Sequence, residues 1–216
     1  MIALDTGALT EIAVLGAHCD DIAIGMGGAL LAAVAANPGL RVHALVLSGG
    51  GSPREAEERD ALADFCAGGS VRLTVLDIPD GRAPGHWERI KDALAEFRRG
   101  LRTDLVFGPH RCDAHQDHRL LAELVPTEFR DHLVLGYEIP KWEAESWRPS
   151  VYLPLTAEHA EHKSRLLHKH YRSQTGRDWF DERTFLSVAR LRGVQCRAPY
   201  AEAFSSDKAV LQLGNR

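Results

Sequence analysis

The sequence predicts an α/β fold, a Rossmann-like and mostly parallel sheet with helices on both faces. Two observations predict it. Short apolar runs alternate with helical patterns from Glu11 to Phe129, and the connections between successive runs are long enough for crossover helices. In such a sheet, ligands gather at the carboxyl ends of the strands.

Each element has its own justification. Glu11 to Ala17 (EIAVLGA) is a short apolar run that stops at a polar cluster, so it predicts a strand. Gly27 to Ala36 (GGALLAAVAA) is rich in strong helix formers. Arg41 to Leu47 predicts a second strand. Pro53 to Ala67 predicts a charged helix with Ala61, Leu62 and Phe65 at helical spacing and Pro53 in its first turn. Val71 to Leu76 reads as a third strand, Asp80-Gly81 as a turn, and Trp87 to Arg99 as an amphipathic helix. Asp104 to Phe107 predicts a fourth buried strand, Gly108 to Gln116 a polar loop, and Asp117 to Phe129 a helix. From His132 the pattern loosens. A strand ends at Tyr137, a loop bearing Pro and Trp follows, then a strand at Val151 to Leu153, helices near Ala157 to Lys169 and Phe180 to Leu191, and a short final element at Tyr200 to Phe204. Neither linker, repeat nor low-complexity stretch interrupts the order, so residues 1–216 are expected to form a single domain.

Composition narrows the function classes. The 216 residues are 44% hydrophobic and 26% charged, enough apolar surface for a core and enough charge for solubility. Lys+Arg 26 against Asp+Glu 30 leaves a net charge of −4, which supplies no basic field for nucleic acid or an anionic membrane. Cys19, Cys66, Cys112 and Cys196 form no C-x-x-C pair, and a reducing cytoplasm is the expected location. The longest apolar run, Ile22 to Ala36, follows Asp5, Glu11, Asp20 and Asp21 rather than basic residues and is shorter than a membrane span, so neither export nor insertion is expected. Oligomeric state has no signature.

Two polar clusters carry the chemistry. The first strand ends in Ala17-His18-Cys19-Asp20-Asp21, and the fourth in His110-Arg111-Cys112-Asp113-Ala114-His115-Gln116-Asp117-His118. In the common strand order these two strands are neighbours flanking the switch point, so the loops are expected to face one crevice. One imidazole and one carboxylate from the first loop with one imidazole from the second compose a His/His/carboxylate set, the donor type of a catalytic Zn2+ with an open position for water. Fe2+ and Co2+ suit the same donors. Taken singly, each cluster could also be a helix cap or a polar turn.

A-H-C-D-D resembles the A-H-P-D-D motif, and H-Q-D-H the H-x-D-H motif, of the PIG-L/LmbE family of zinc-dependent N-acetylglucosaminyl deacetylases. Tyr137 to Trp142 (YEIPKW), Trp179 to Leu186 (WFDERTFL), Arg190 to Gly193 (RLRG) and Tyr200 to Phe204 (YAEAF) are similar to bacterial members, so the likeness spans nearly the whole chain. The resemblance implies that His18, Asp21 and His118 bind the metal and that Asp20 is the general base. It further implies His115 as general acid or electrostatic stabiliser, with Asp117 orienting an imidazole. Arg54 resembles an arginine that contacts substrate polar groups in relatives, with a surface ion pair to Glu57 as the alternative. Tyr137 is a candidate donor to the oxyanion, the alternative being a packed ring with a satisfied hydroxyl. Trp142, Trp147 and Trp179 are candidate walls of a sugar site.

Three departures from the family pattern stand out. Cys19 replaces the usual Pro and puts a thiol beside the ligands, Ile22 replaces an acid that often follows the two aspartates, and Gly49-Gly50-Gly51 lengthens the turn before Arg54. Gly25-x-Gly27-Gly28 lacks the third glycine of a dinucleotide fingerprint and is expected to let a helix approach the sheet closely. His159, His162, His168 and His170 read as a solvated helix face. The expected activity is removal of the N-acetyl group from an N-acetylglucosamine-type sugar in a small conjugate. Hydrolysis of another amide, such as a thiol conjugate, and a silent metal- or sugar-binding protein are the alternatives.

Overall fold

The computed structural model describes residues 3–142 and 147–211. These form a seven-stranded sheet in the order β3-β2-β1-β4-β5-β7-β6. The strands are β1 (Glu11–Gly16), β2 (Arg41–Val46), β3 (Ser70–Val75), β4 (Leu105–Pro109), β5 (Val134–Tyr137), β6 (Val151–Leu155) and β7 (Tyr200–Ser205). The helices are α1 (Asp21–Ala36), α2 (Pro53–Phe65), α3 (Trp87–Arg99), α4 (Gln116–Glu128), α5 (Ala157–His170) and α6 (Glu182–Cys196). The first five strands in that order run parallel, whereas β7 is antiparallel to both β5 and β6. The expected mostly parallel sheet is what forms.

After Glu11, β1 is apolar because both its faces are covered. Ile12 and Val14 face α1, α2 and α5, while Ala13 and Leu15 face α3 and α4. β1 and β4 pair side by side through Val14 and Phe107, so the two polar loops leave the sheet at the same edge. β6 carries Pro154 in its interior, which an edge strand tolerates because one side of its backbone needs no ladder bond.

The main difference from the sequence reading lies in α1, which begins at Asp21 instead of Gly27. It is two helical pieces joined at Met26, whose φ of −145° and ψ of 20° are not helical. The helix formers from Gly27 build the second piece, and Glu202 of β7 caps it by accepting from the N–H groups of Gly28 at 2.8 Å and Ala29 at 2.6 Å. The first piece, rich in Ile and Gly, has little intrinsic preference for a helix and is held by burial. α6 also starts two residues later than expected, after Asp181, whose side chain accepts from the Arg183 N–H at 2.5 Å. The glycines of α1 act as expected: a methyl at Gly25 would overlap the Tyr137 ring, and one at Gly28 would meet Leu155.

Candidate metal centre

The site is built on the turn from β1 into α1. Asp21 sits in the first turn of α1, where the helix N-terminus favours an anion, and its Oδ2 accepts from the N–H groups of Ala17 at 3.0 Å and His18 at 2.8 Å. Around this pinned oxygen stand His18 Nδ1 at 3.3 Å and His118 Nε2 at 3.2 Å. The two ring nitrogens are 3.1 Å apart. Ligands about 2.05 Å from a tetrahedral zinc ion are separated by about 3.3 Å, so the three atoms have the spacing of one face of such a polyhedron. All three residues are buried.

The surrounding charges explain why these donors suit a dication. Burial pushes the Asp21 carboxyl up, but His118, Lys141 and His18 outweigh it and hold the group well below the usual carboxylate range. Burial pulls His118 down, and Asp21 and Asp113 more than reverse this, to about 9. His18 is likewise raised well above its ordinary value, burial notwithstanding, by Asp21, Asp117 and Asp80. A field that strong will hold cations, whether protons on the rings or a metal between them.

Carboxylates back both imidazoles on their far sides. Asp113 Oδ2 lies 2.9 Å from His118 Nδ1. Asp117 Oδ2 lies 3.2 Å and Asp80 Oδ1 3.0 Å from His18 Nε2. Asp117 also accepts from the N–H groups of Gly81 at 2.8 Å and Ala83 at 3.1 Å, tying the loop after β3 to the site. The ligand atoms of His18, Asp80, His115 and Asp117 all fall within 4.8 Å of one another, as do those of His18, His115 and His118. The corresponding atoms of His18, Asp21 and His118 stand 3.1 to 3.3 Å apart.

Asp20 and His115 flank these donors. Asp20 has φ 126°, rare for a residue with a side chain, and its Oδ2 is paired with Arg54 Nη2 at 2.9 Å. Its Oδ1 is buried and has no hydrogen bond among the described residues. Burial raises its carboxyl, with Lys141 and Arg54 pulling the other way. His115 is the N-cap of α4, its Nδ1 accepting from the Asp117 N–H at 3.2 Å, and its ring stacks on His118 at 4.6 Å. Because Nδ1 accepts, the neutral ring carries its proton on Nε2. Burial, then His118 and His18, keep it below its ordinary value.

The structure brings His18, Asp20, Asp21, His115, Asp117 and His118 together, and two expectations change. Tyr137 does not reach the crevice: it is fully buried, and its hydroxyl donates to the Leu15 carbonyl at 2.6 Å, so it braces β5 against β1 beneath the site. Arg54 turns inward, its guanidinium on Asp20 and on the Cys19 carbonyl, with Glu57 farther off at 3.7 Å. The Cys19 thiol donates to the Ser48 carbonyl at 3.4 Å, and burial pushes its pKa far up, which leaves little thiolate for reaction. Trp179 is buried, Trp142 is exposed, and Trp147 packs on His110 at 4.7 Å.

Three further residues belong to the site. Asp113 stood in the second cluster without a role, and its place in the loop that leads into the helix carrying His118 was the available signal. Lys141, inside YEIPKW, reaches to 3.5 Å of Asp21 Oδ1. Glu58, in the run PREAEERD of the expected charged helix, is fully buried with Tyr171 donating to it at 2.7 Å.

The family described as PIG-L, GlcNAc-PI de-N-acetylase, matches residues 13–128. The uncharacterized deacetylase YaiS of Escherichia coli (strain K12) is 30% identical over 172 residues, covering 74% of this chain and 89% of that protein. Among solved structures, the N,N'-diacetylchitobiose deacetylase of Pyrococcus horikoshii is similar with a TM-score of 0.71 at 19% identity, over 92% of this chain and 84% of that one. The 4-carboxy-2-hydroxymuconate hydratase GalB of Pseudomonas putida KT2440 is similar with a TM-score of 0.72 at 18% identity, over 96% of this chain and 100% of that one. At these identities the structural likeness speaks for the fold, which hosts more than one reaction.

Proposed function

The chain belongs to the PIG-L family, and from that premise we propose that it is a metal-dependent deacetylase that hydrolyses the N-acetyl group of an N-acetylglucosamine-type sugar in a small conjugate. The observation that carries this reading is the convergence of His18 Nδ1, Asp21 Oδ2 and His118 Nε2 at 3.1 to 3.3 Å, beside the Oδ1 of Asp20, which has no hydrogen bond among the described residues. His18, Asp21 and His118 hold the metal, for which two imidazoles and a carboxylate suit Zn2+, with Fe2+ and Co2+ as alternatives. When bound, such an ion lowers the pKa of water toward about 7 and polarises a carbonyl.

The chain's own groups do the rest. Asp20 accepts the proton of the attacking water at its carboxylate, a task suited to a buried acid whose affinity for protons is raised. His115 donates from Nε2–H to the carbonyl oxygen as it gains charge, and the tautomer set by Asp117 N–H has that proton in place at neutral pH. The proton held by Asp20 then passes to the amide nitrogen as the C–N bond breaks, leaving acetate and a free amine. Arg54 holds the Asp20 carboxylate in place throughout.

Zinc content and acetate release from N-acetylglucosaminyl substrates, measured for wild type, Asp20→Ala and His118→Ala, test the assignment. Asp20→Ala is expected to keep its metal and lose about 10²–10⁴ in rate, and His118→Ala to lose the metal. Wild-type turnover in Asp20→Ala would remove the base, and wild-type zinc affinity in His118→Ala the ligand set. Acetate release only from amides other than sugars would move the substrate class.

A further inference from the structure

Lys141 has no part in the mechanism above, yet it sits against it. Its Nζ is 3.5 Å from Asp21 Oδ1, the oxygen not shared with His18 and His118, and that oxygen has no hydrogen bond among the described residues. The side chain is 16% exposed, and its ammonium lies 5.5 Å from the centroid of the buried Trp179 ring, so it has little room to swing away. The three metal-binding side chains are thus backed unequally. Asp113 stands behind His118 and Asp117 behind His18, and carboxylates in those positions raise the basicity of the rings they touch. Behind Asp21 stands a cation.

We propose that Lys141 is a positioning residue that draws charge from Asp21, loosening the grip of the three ligands on the metal and making the bound site more reactive. This rests on the metal-dependent reading of the site. An ammonium on the outer oxygen of a ligating carboxylate weakens that ligand as a donor and repels a dication, while the same positive charge favours any negative charge that develops during the reaction. Its effect on affinity is opposite in sign to that of Asp113 and Asp117. Second-shell partners typically change metal affinity by about 10–100-fold, which sets the scale expected here.

The test is zinc affinity by competition with a chromophoric chelator, together with kcat and KM at saturating zinc, in wild type, Lys141→Met, Lys141→Gln and Lys141→Arg. Met keeps the aliphatic stem against Trp179, and Gln serves if Met fails to fold. Both neutral variants are expected to bind zinc about tenfold tighter and to turn over about tenfold more slowly, with KM within about twofold of wild type. Lys141→Arg, which keeps the charge, is expected to restore both values. A merely structural role would weaken zinc binding on substitution. Unchanged or weaker zinc affinity in a folded neutral variant overturns the proposal, as does tighter binding with unchanged kcat. Absence of zinc binding by the wild type would refute the metal reading itself, a different result from either of these.

Discussion

Asp113 Oδ2 stands 2.9 Å from His118 Nδ1, behind the ring whose other nitrogen faces His18 and Asp21. The same carboxylate accepts from the His115 backbone N–H at 2.8 Å through Oδ1, so one side chain ties the backbone at His115 to the ring of His118. Asp113→Asn keeps an acceptor for His115 and removes the negative charge behind His118. Zinc affinity is expected to fall about 10–100-fold, with the melting temperature little changed. Wild-type affinity in a chelator competition would show that His118 needs no partner.

Tyr137→Phe separates a brace from an oxyanion donor. The hydroxyl bonds the Leu15 carbonyl across β4, and the ring fills the space that Gly25 leaves open. Removing it strands a buried carbonyl, a cost of about 1–3 kcal/mol in urea unfolding. Turnover is expected to stay within about twofold of wild type. A donor to the developing oxyanion would instead lose about 10²–10³ in rate, so the kinetic measurement decides.

What the sequence made legible was periodic or local. The alternation of apolar runs set the parallel sheet, and the two clusters lay at neighbouring strand ends because β1 and β4 pair as the common order requires. That the clusters would share a crevice followed from strand order; the choice of His18, Asp21 and His118 within them came from the resemblance to the family's two motifs. Asp113 could be seen but not assigned, since whether a loop carboxylate faces a ring is settled by the turn geometry. Glu58 was hidden: it lies among charged residues of α2, and it is tertiary packing, α5 over α2 included, that buries it beside Tyr171. Tyr137 went the other way. A tyrosine at a strand end beside the site invites a chemical role, and the side of the sheet on which its hydroxyl finds Leu15 is a tertiary fact.

The four thiols are expected to react in the order of their exposure. Cys112 is exposed and Cys196 partly so, whereas Cys19 and Cys66 are buried. Burial pushes Cys66 up to about 12 and Cys19 higher, leaving almost no thiolate in either at neutral pH. Alkylation of the native protein followed by peptide mass spectrometry should label Cys112 first, Cys196 more slowly, and Cys19 and Cys66 only after unfolding. Prompt labelling of Cys19 would mean that its thiol faces the crevice instead of Ser48.

Glu58 makes stability depend on pH in a direction opposite to that of a salt-bridged acid. Burial pushes its carboxyl up to about 8, against the hydrogen bond from Tyr171, which pulls it down. In the unfolded chain it ionises near the ordinary value of 4.5. Between these limits the folded protein retains a proton that the unfolded chain releases, so unfolding is favoured progressively as pH rises, with a slope of up to ~1.4 kcal/mol per pH unit. The neutral form's advantage is complete below about 4.5 and spent above about 8. Glu58→Gln has no proton to release and can still accept from Tyr171. Urea unfolding from pH 5 to pH 8 is therefore expected to give a flatter stability curve for Glu58→Gln, rising relative to wild type at each step. Parallel curves would mean that the carboxyl is already ionised in the folded protein, held there by a cation.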